Sequence, residues 1–172
     1  MRNVLKFKKI LVVDDEPGIV ENLEEILDMC FVDSAFDFRK GQKCLKTKQY
    51  DAAVLDIMGV RGYKLLEIAT EKGIPAVILT AHAFSPDNLV KSIKGGAHAY
   101  VPKWKVADID IYVDEAIKAS EENEPRRFTW FERLKPYFDE KFGPDWKKSH
   151  EAFWREFDDE LRISKKELEE AM

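Results

Sequence analysis

Apolar residues in this chain come in short runs that stop abruptly at polar or reactive side chains. Lys9–Ile10–Leu11–Val12–Val13 stops at Asp14–Asp15–Glu16, Ala52–Ala53–Val54–Leu55 at Asp56, and Ala76–Val77–Ile78–Leu79 at Thr80. A further run over 97–101 ends just before Lys103. Short, unalternating, β-branched runs of this kind predict strands buried on both faces, as in a parallel sheet. Residues 31–36 suit another strand, more polar than the rest. Between the strands the period changes to that of a helix. Pro17 opens one helix, where its missing N–H costs nothing, and Ile19, Leu23, Ile26 and Leu27 supply its inner face. Helices follow over 39–48, over 63–71 with Leu65, Leu66 and Ile68 inward, and from Pro86–Asp87 to a Gly95–Gly96 terminator. Ile109, Val113, Ala116 and Ile117 mark the last of the series.

Strand and helix therefore alternate five times over about 120 residues. Right-handed crossovers turn that pattern into an α/β fold: a doubly wound, five-stranded parallel sheet of the flavodoxin-like sort, helices on both faces. Glu121–Glu122–Asn123–Glu124–Pro125 is a charged break that divides the chain into 1–120 and a C-terminal α-helical extension over 121–172. Ten of the chain's twenty aromatic residues lie in that extension. It reads as a helix over 127–142, strained or split at Pro136, a Gly143–Pro144 turn, and a second helix over 145–163. Ser164 with Glu167 forms a capping-box pattern and predicts one more short helix.

Composition narrows the function classes. The chain has 172 residues, enough for one domain and a short appendage. A formal net charge of −5 opposes a broad nucleic-acid footprint, which needs a basic face. There is no apolar run long enough to span a membrane and no secretory pattern at the start. Cys30 and Cys44 make neither a disulfide framework nor a zinc site, which points to a reducing cytoplasm. His82, His98 and His150 lack ligand spacing and read as solvated or packed side chains.

The chemistry lies at the strand ends. In an open parallel sheet, ligands bind beyond the carboxyl ends of the strands. The fold therefore gathers Asp14, Asp15, Asp56, Thr80 and Lys103 at one edge. Any one of them alone is an ordinary cap or turn residue. Together they are a set of carboxylates that repel one another unless a cation sits among them. Hard oxygen ligands suit magnesium, and a carboxylate is a competent nucleophile toward phosphorus. The lysine and threonine supply the charge neutralisation that phosphoryl transfer demands.

Four fragments in order carry a resemblance: Val12–Val13–Asp14–Asp15–Glu16, Val54–Leu55–Asp56–Ile57–Met58, Leu79–Thr80–Ala81, and Gly96–Ala97–His98–Ala99–Tyr100–Val101–Pro102–Lys103. Over residues 8–119 the chain resembles the receiver domain of two-component response regulators. The resemblance implies Asp56 as phosphoacceptor and magnesium or manganese as cofactor. It makes Asp15 a direct metal ligand, Asp14 one acting mainly through water, and the Met58 carbonyl a further donor. Thr80 and Lys103 would grip the phosphoryl oxygens, and Tyr100 would swing inward as Thr80 moves. The implied partners are a sensor histidine kinase or phosphotransfer protein and a downstream protein target. The chain would then be no enzyme beyond its own phosphoryl transfer and dephosphorylation.

Three departures from the family pattern matter. Gly59–Val60–Arg61–Gly62 is about two residues short of the usual loop, so that loop should be tight. Trp104 follows Lys103 where a proline is usual, which predicts a trans bond there. Met58 is larger than the small polar residue common at its position, and should shield the phosphoryl group from water and slow its loss.

The extension carries eleven Lys/Arg against fifteen Asp/Glu, the wrong sign for binding nucleic acid. Trp130, Leu134, Tyr137 and Phe138 share one face, as do Phe153, Phe157 and Leu161. These aromatics form the core of a helical hairpin, or they pack on the preceding domain or a second chain. The second case makes the extension a homodimer or partner-binding element that responds to phosphorylation through the helix before it. Two other functions fit the fold: a pseudo-receiver that binds without phosphorylation, and a phosphatase of the same fold class. The complete acid, Thr80 and Lys103 set opposes the first. The adjacent Asp14–Asp15, without an intervening residue, opposes the second.

Overall fold

The computed structural model describes residues 5–122 and 129–171. Five strands, β1 (Lys9–Val13), β2 (Phe31–Ala35), β3 (Ala52–Leu55), β4 (Ala76–Thr80) and β5 (Ala99–Pro102), form one sheet. All neighbours are parallel, in the order β2-β1-β3-β4-β5. Strands β3, β4 and β5 are buried throughout, because helices cover both faces. β2 is an edge and the most polar strand; its Asp33 accepts from the Tyr50 hydroxyl at 2.7 Å.

The intervening helices are α1 (Pro17–Ile26), α2 (Phe38–Thr47), α3 (Gly62–Glu71), α4 (Pro86–Lys94) and α5 (Ile109–Glu121). Helix α1 packs beside α5, and α2 beside α3. Helix α3 in turn meets α4, where the Tyr63 hydroxyl donates to Asn88 Oδ1 at 2.6 Å. Asp37 and Ser85 cap α2 and α4 by accepting from the N–H groups of Lys40 and Asn88. In α1 the fully buried residues are Val20 and Leu23, with Leu27 just beyond its end, while Ile19 and Ile26 are only partly covered. The inner face is thus rotated slightly from the sequence expectation. A six-residue 3₁₀ turn over Lys103–Asp108, absent from that expectation, joins β5 to α5. All described peptide bonds are trans, including the one before Trp104.

The extension begins with α6 (Thr129–Phe142); residues 123–128, which hold most of the charged break and the predicted start of this helix, lie outside the described residues. Pro136 stands inside α6 without dividing it, contrary to a split. It lies on the exposed side of the helix, so the break in the hydrogen-bond ladder faces water and not the core. After Gly143, which has φ +89, a 3₁₀ turn over Trp146–His150 occupies the predicted start of the next helix. That helix, α7 (Glu151–Ala171), runs unbroken through 164, so the predicted extra helix does not exist as a separate element. The capping-box pattern at Ser164 is overridden by helix-favouring neighbours, Lys, Glu and Leu, on both sides.

The extension shares the core of the sheet domain. The largest fully buried side chains include Tyr100 and Tyr112 from the domain and Phe131 and Phe138 from α6. Helix α6 lies on β5, closing what would be an open sheet edge. Within the extension, Phe131 meets Trp154 at 5.4 Å and Phe157 at 4.9 Å, and Trp146 meets Trp154 at 5.0 Å. Within the one chain the aromatics of the extension fill a core between its own helices and also pack on the sheet domain.

Candidate functional site

The parallel strands all end at the same edge, and their ends deliver the predicted side chains. Asp14 follows β1 and Asp56 follows β3; the two strands are in register at Val13 and Leu55, and the Asp56 N–H donates to the Val13 carbonyl at 2.9 Å. Thr80 closes β4 opposite Pro102, which places Lys103 one residue beyond. Asp14, Asp56, Thr80 and Lys103 are the buried polar residues of the sheet edge.

Lys103 is the hub. Its ammonium lies 3.0 Å from Asp14 Oδ2, 3.0 Å from Asp56 Oδ2 and 2.9 Å from Glu16 Oε1. Burial by itself favours the neutral amine, but the hydrogen bonds to Glu16, Asp14 and Asp56 outweigh it and hold the pKa above the ordinary lysine value. Asp56 Oδ1 accepts from the Ile57 N–H at 2.7 Å, so both oxygens of this carboxylate are oriented. Asp14 Oδ1 accepts from the Glu16 N–H at 2.9 Å. Burial pushes the Asp14 carboxyl up to about 6; the Glu16 N–H and Lys103 pull it back, and the nearby Asp56 charge pushes it further up.

Asp14, Asp15, Glu16 and Asp56 each bring a carboxylate oxygen within 4.8 Å of the others. Four carboxylates against one ammonium leave a formal charge of −3 (−4 + 1), an arrangement that calls for a cation of hard-oxygen preference. The short 59–62 loop makes room for the set. Gly59 has φ +83, and a Cβ there would overlap the Asp15 carboxylate. Gly62 packs so closely that a Cβ would strike the Asp56 carbonyl, and Arg61 between them adopts a left-handed conformation. The donor chemistry and this cleared space fit a divalent ion. The Met58 side chain is 54% exposed.

Thr80 is fully buried, and its Oγ1 has no hydrogen-bond partner among the described residues. Tyr100 is also fully buried. Its hydroxyl donates to the Ala83 carbonyl at 2.6 Å and accepts from the Ser85 N–H at 3.1 Å. Burial raises its pKa.

The structure thus brings together Asp14, Asp15, Asp56 and Lys103 as the sequence predicts, and adds Glu16, which the sequence reading passed over as a mere part of the acidic run. His82 is exposed, 3.8 Å from Glu16, and His150 in the extension pairs with Asp87 of α4 at 2.7 Å.

Known proteins place this geometry. Residues 10–111 match the response regulator receiver domain family. Over 101 residues the chain is 34% identical to the two-component response regulator ARR18 of Arabidopsis thaliana, covering 55% of this chain and 16% of that protein. The chain therefore spans about a sixth of that curated relative. A CheY-like receiver domain protein of Methanospirillum hungatei JF-1 is similar with a TM-score of 0.63 and 26% identity, over 69% of this chain and 99% of that one. The receiver domain of the Francisella response regulator 1452 is similar with a TM-score of 0.59 and 28% identity, over 66% and 98%.

Proposed function

This chain belongs to the response regulator receiver family of two-component signalling, and on that premise we propose that Asp56 accepts a phosphoryl group from a histidine kinase or phosphotransfer protein. The observation that carries the reading is the Lys103 ammonium held 3.0 Å from Asp56 Oδ2 inside a cluster of carboxylates. A carboxylate oxygen of Asp56 attacks phosphorus, the P–N bond to the donor imidazole breaks, and its electron pair returns to the departing nitrogen. Lys103, kept protonated by its neighbours, then follows the charge from the carboxylate onto the phosphoryl oxygens. Thr80, whose hydroxyl is buried beside this edge and uncommitted, donates to another of them. Magnesium held by Asp14, Asp15, Asp56 and the Met58 carbonyl would neutralise phosphoryl charge during transfer.

The output is a change in protein–protein contact. The extension's excess of acidic residues makes a protein target the fitting partner, with no role for nucleic acid. The chain acts in the cytoplasm and performs no chemistry beyond gaining and losing its own phosphoryl group. No helix among the described residues is long and apolar enough to cross a membrane.

Incubation with labelled acetyl phosphate tests the reading. Incorporation should require a divalent ion and vanish in Asp56→Asn. Labelling that survives that substitution or an excess of chelator contradicts it, and a chain that never labels is a binding scaffold.

A further inference from the structure

Two segments leave the site's edge, residues 81–85 after Thr80 and 104–108 after Lys103, and the C-terminal helices rest on both. Phe84 is the centre of the first contact. Its ring stacks on Tyr100 at 5.6 Å, meets Trp104 edge-on at 4.9 Å, and touches Phe138 at 5.7 Å and Phe142 at 4.8 Å. The Tyr100 hydroxyl ties Ala83 and Ser85 to β5 from one side while α6 presses on Phe84 from the other. On the second segment, Lys105 donates to the Tyr137 hydroxyl at 3.3 Å, and Lys141 lies 5.3 Å from the centre of the Trp104 ring. The bidentate Arg133–Glu115 pair ties α6 to α5, and His150–Asp87 ties the following turn to α4.

Thr80 sits at the root of the loop that this packing holds down. Its Oγ1 is closed off from solvent and has no acceptor among the described residues. A sealed, unpaired hydroxyl costs free energy, and a phosphoryl oxygen on Asp56 removes that cost. Releasing α6 removes Phe138 and Phe142 from Phe84 and loosens the loop that follows Thr80, so the released form presents this hydroxyl less rigidly and has less to gain from the phosphoryl group. A ligand shifts a conformational equilibrium toward the form in which it gains more.

We infer that the C-terminal helices are an intramolecular effector of the phosphorylation site: α6, seated on Phe84, holds in place the 81–85 loop that follows Thr80, and a phosphoryl group at Asp56 in return tightens α6 onto the domain. The coupling rests on the phosphoacceptor reading above. It runs through the loop after Thr80, beside the contact that the Arg133–Glu115 pair makes with α5. Linkage makes it reciprocal: whatever loosens α6 weakens phosphoryl binding by the same factor.

Hydrogen–deuterium exchange on the full chain, with magnesium and with or without beryllofluoride as the phosphoryl mimic, tests both directions. Amides of 129–142 should exchange about fivefold more slowly with beryllofluoride, at the low end of couplings between sites. Phe142→Ala should lower the apparent beryllofluoride affinity by about the same factor, with Phe142→Leu falling between it and the parent. If Phe142→Ala detaches α6 altogether, the loss should be at least as large. All four tryptophans, Trp104, Trp130, Trp146 and Trp154, lie in the extension or its seat, so their fluorescence follows the same event. Slowed exchange around 56–60 with no slowing at 129–142, or an unchanged affinity in Phe142→Ala, overturns the coupling. No response around 56–60 overturns the phosphoacceptor reading, and the coupling falls with it.

Discussion

The Lys103 ammonium and the Asp56 carboxylate, 47 residues apart in sequence, lie 3.0 Å apart and are both buried. Asp14 shares the same ammonium and is equally enclosed. Removing one partner of such a group leaves uncompensated buried charge, which costs far more than an exposed pair is worth. Lys103→Met should therefore destabilise the metal-free chain by about 3 kcal/mol, read as a lower urea midpoint. Magnesium should restore much of the loss by replacing the missing cation. A midpoint that does not move would show that the acids are not held as a charged cluster.

The Asp14 carboxyl has its pKa pushed up to about 6 from an ordinary 3.8. Since the folded form holds this proton more tightly than the unfolded form, the contribution of Asp14 to stability is fully present below the unfolded value. It is lost as pH rises through about 6. Asp14→Asn should accordingly raise the thermal midpoint of the metal-free chain above neutrality, by up to about 3 kcal/mol of stability, with the gain gone by about pH 4. Thermal melts at several pH values in chelator check this. A variant less stable than the parent at pH 8 is the contrary outcome.

Gly59 carries φ +83 with its missing side chain directed at the Asp15 carboxylate. Gly59→Ala must strain the backbone, at about 1–3 kcal/mol, and displace Asp15. Magnesium affinity, titrated through tryptophan fluorescence, should fall about tenfold, the equivalent of some 1.4 kcal/mol. An unaltered affinity would remove Asp15 from the metal site.

Met58 stands two residues after Asp56 with its side chain 54% exposed. An apolar side chain there gives an attacking water neither a donor nor an acceptor. Met58→Asn should shorten the lifetime of the acyl phosphate several-fold. A parent lifetime of seconds with magnesium, or no change in the variant, contradicts shielding.

The central strands were legible because burial on both faces leaves a simple mark: Leu11–Val12–Val13 and Val77–Ile78–Leu79 have no polar alternation to obscure them. Once the strands are placed, parallel register delivers Asp14, Asp56, Thr80 and Lys103 to one edge without further assumption. Glu16 was not legible, since an acid before Pro17 reads as an ordinary helix start, and its role depends on a lysine 87 residues away. Phe84 was hidden for a related reason. It lies in a loop without periodicity, and its importance comes from Phe138 and Phe142, more than fifty residues later. Helical spacing showed which aromatics of α6 share a face, but spacing carries no information about the surface that face meets. At Ser164 a local capping signal pointed to a helix start, while the surrounding propensities kept α7 continuous.

Borohydride reduction after phosphorylation tests the central claim most directly, because it converts an aspartyl phosphate to homoserine at the modified position alone. Peptide mass spectrometry of the chain treated with acetyl phosphate and magnesium should find homoserine at position 56 and aspartate at 14 and 15. Homoserine at 14 or 15, or aspartate retained at all three, would contradict the account.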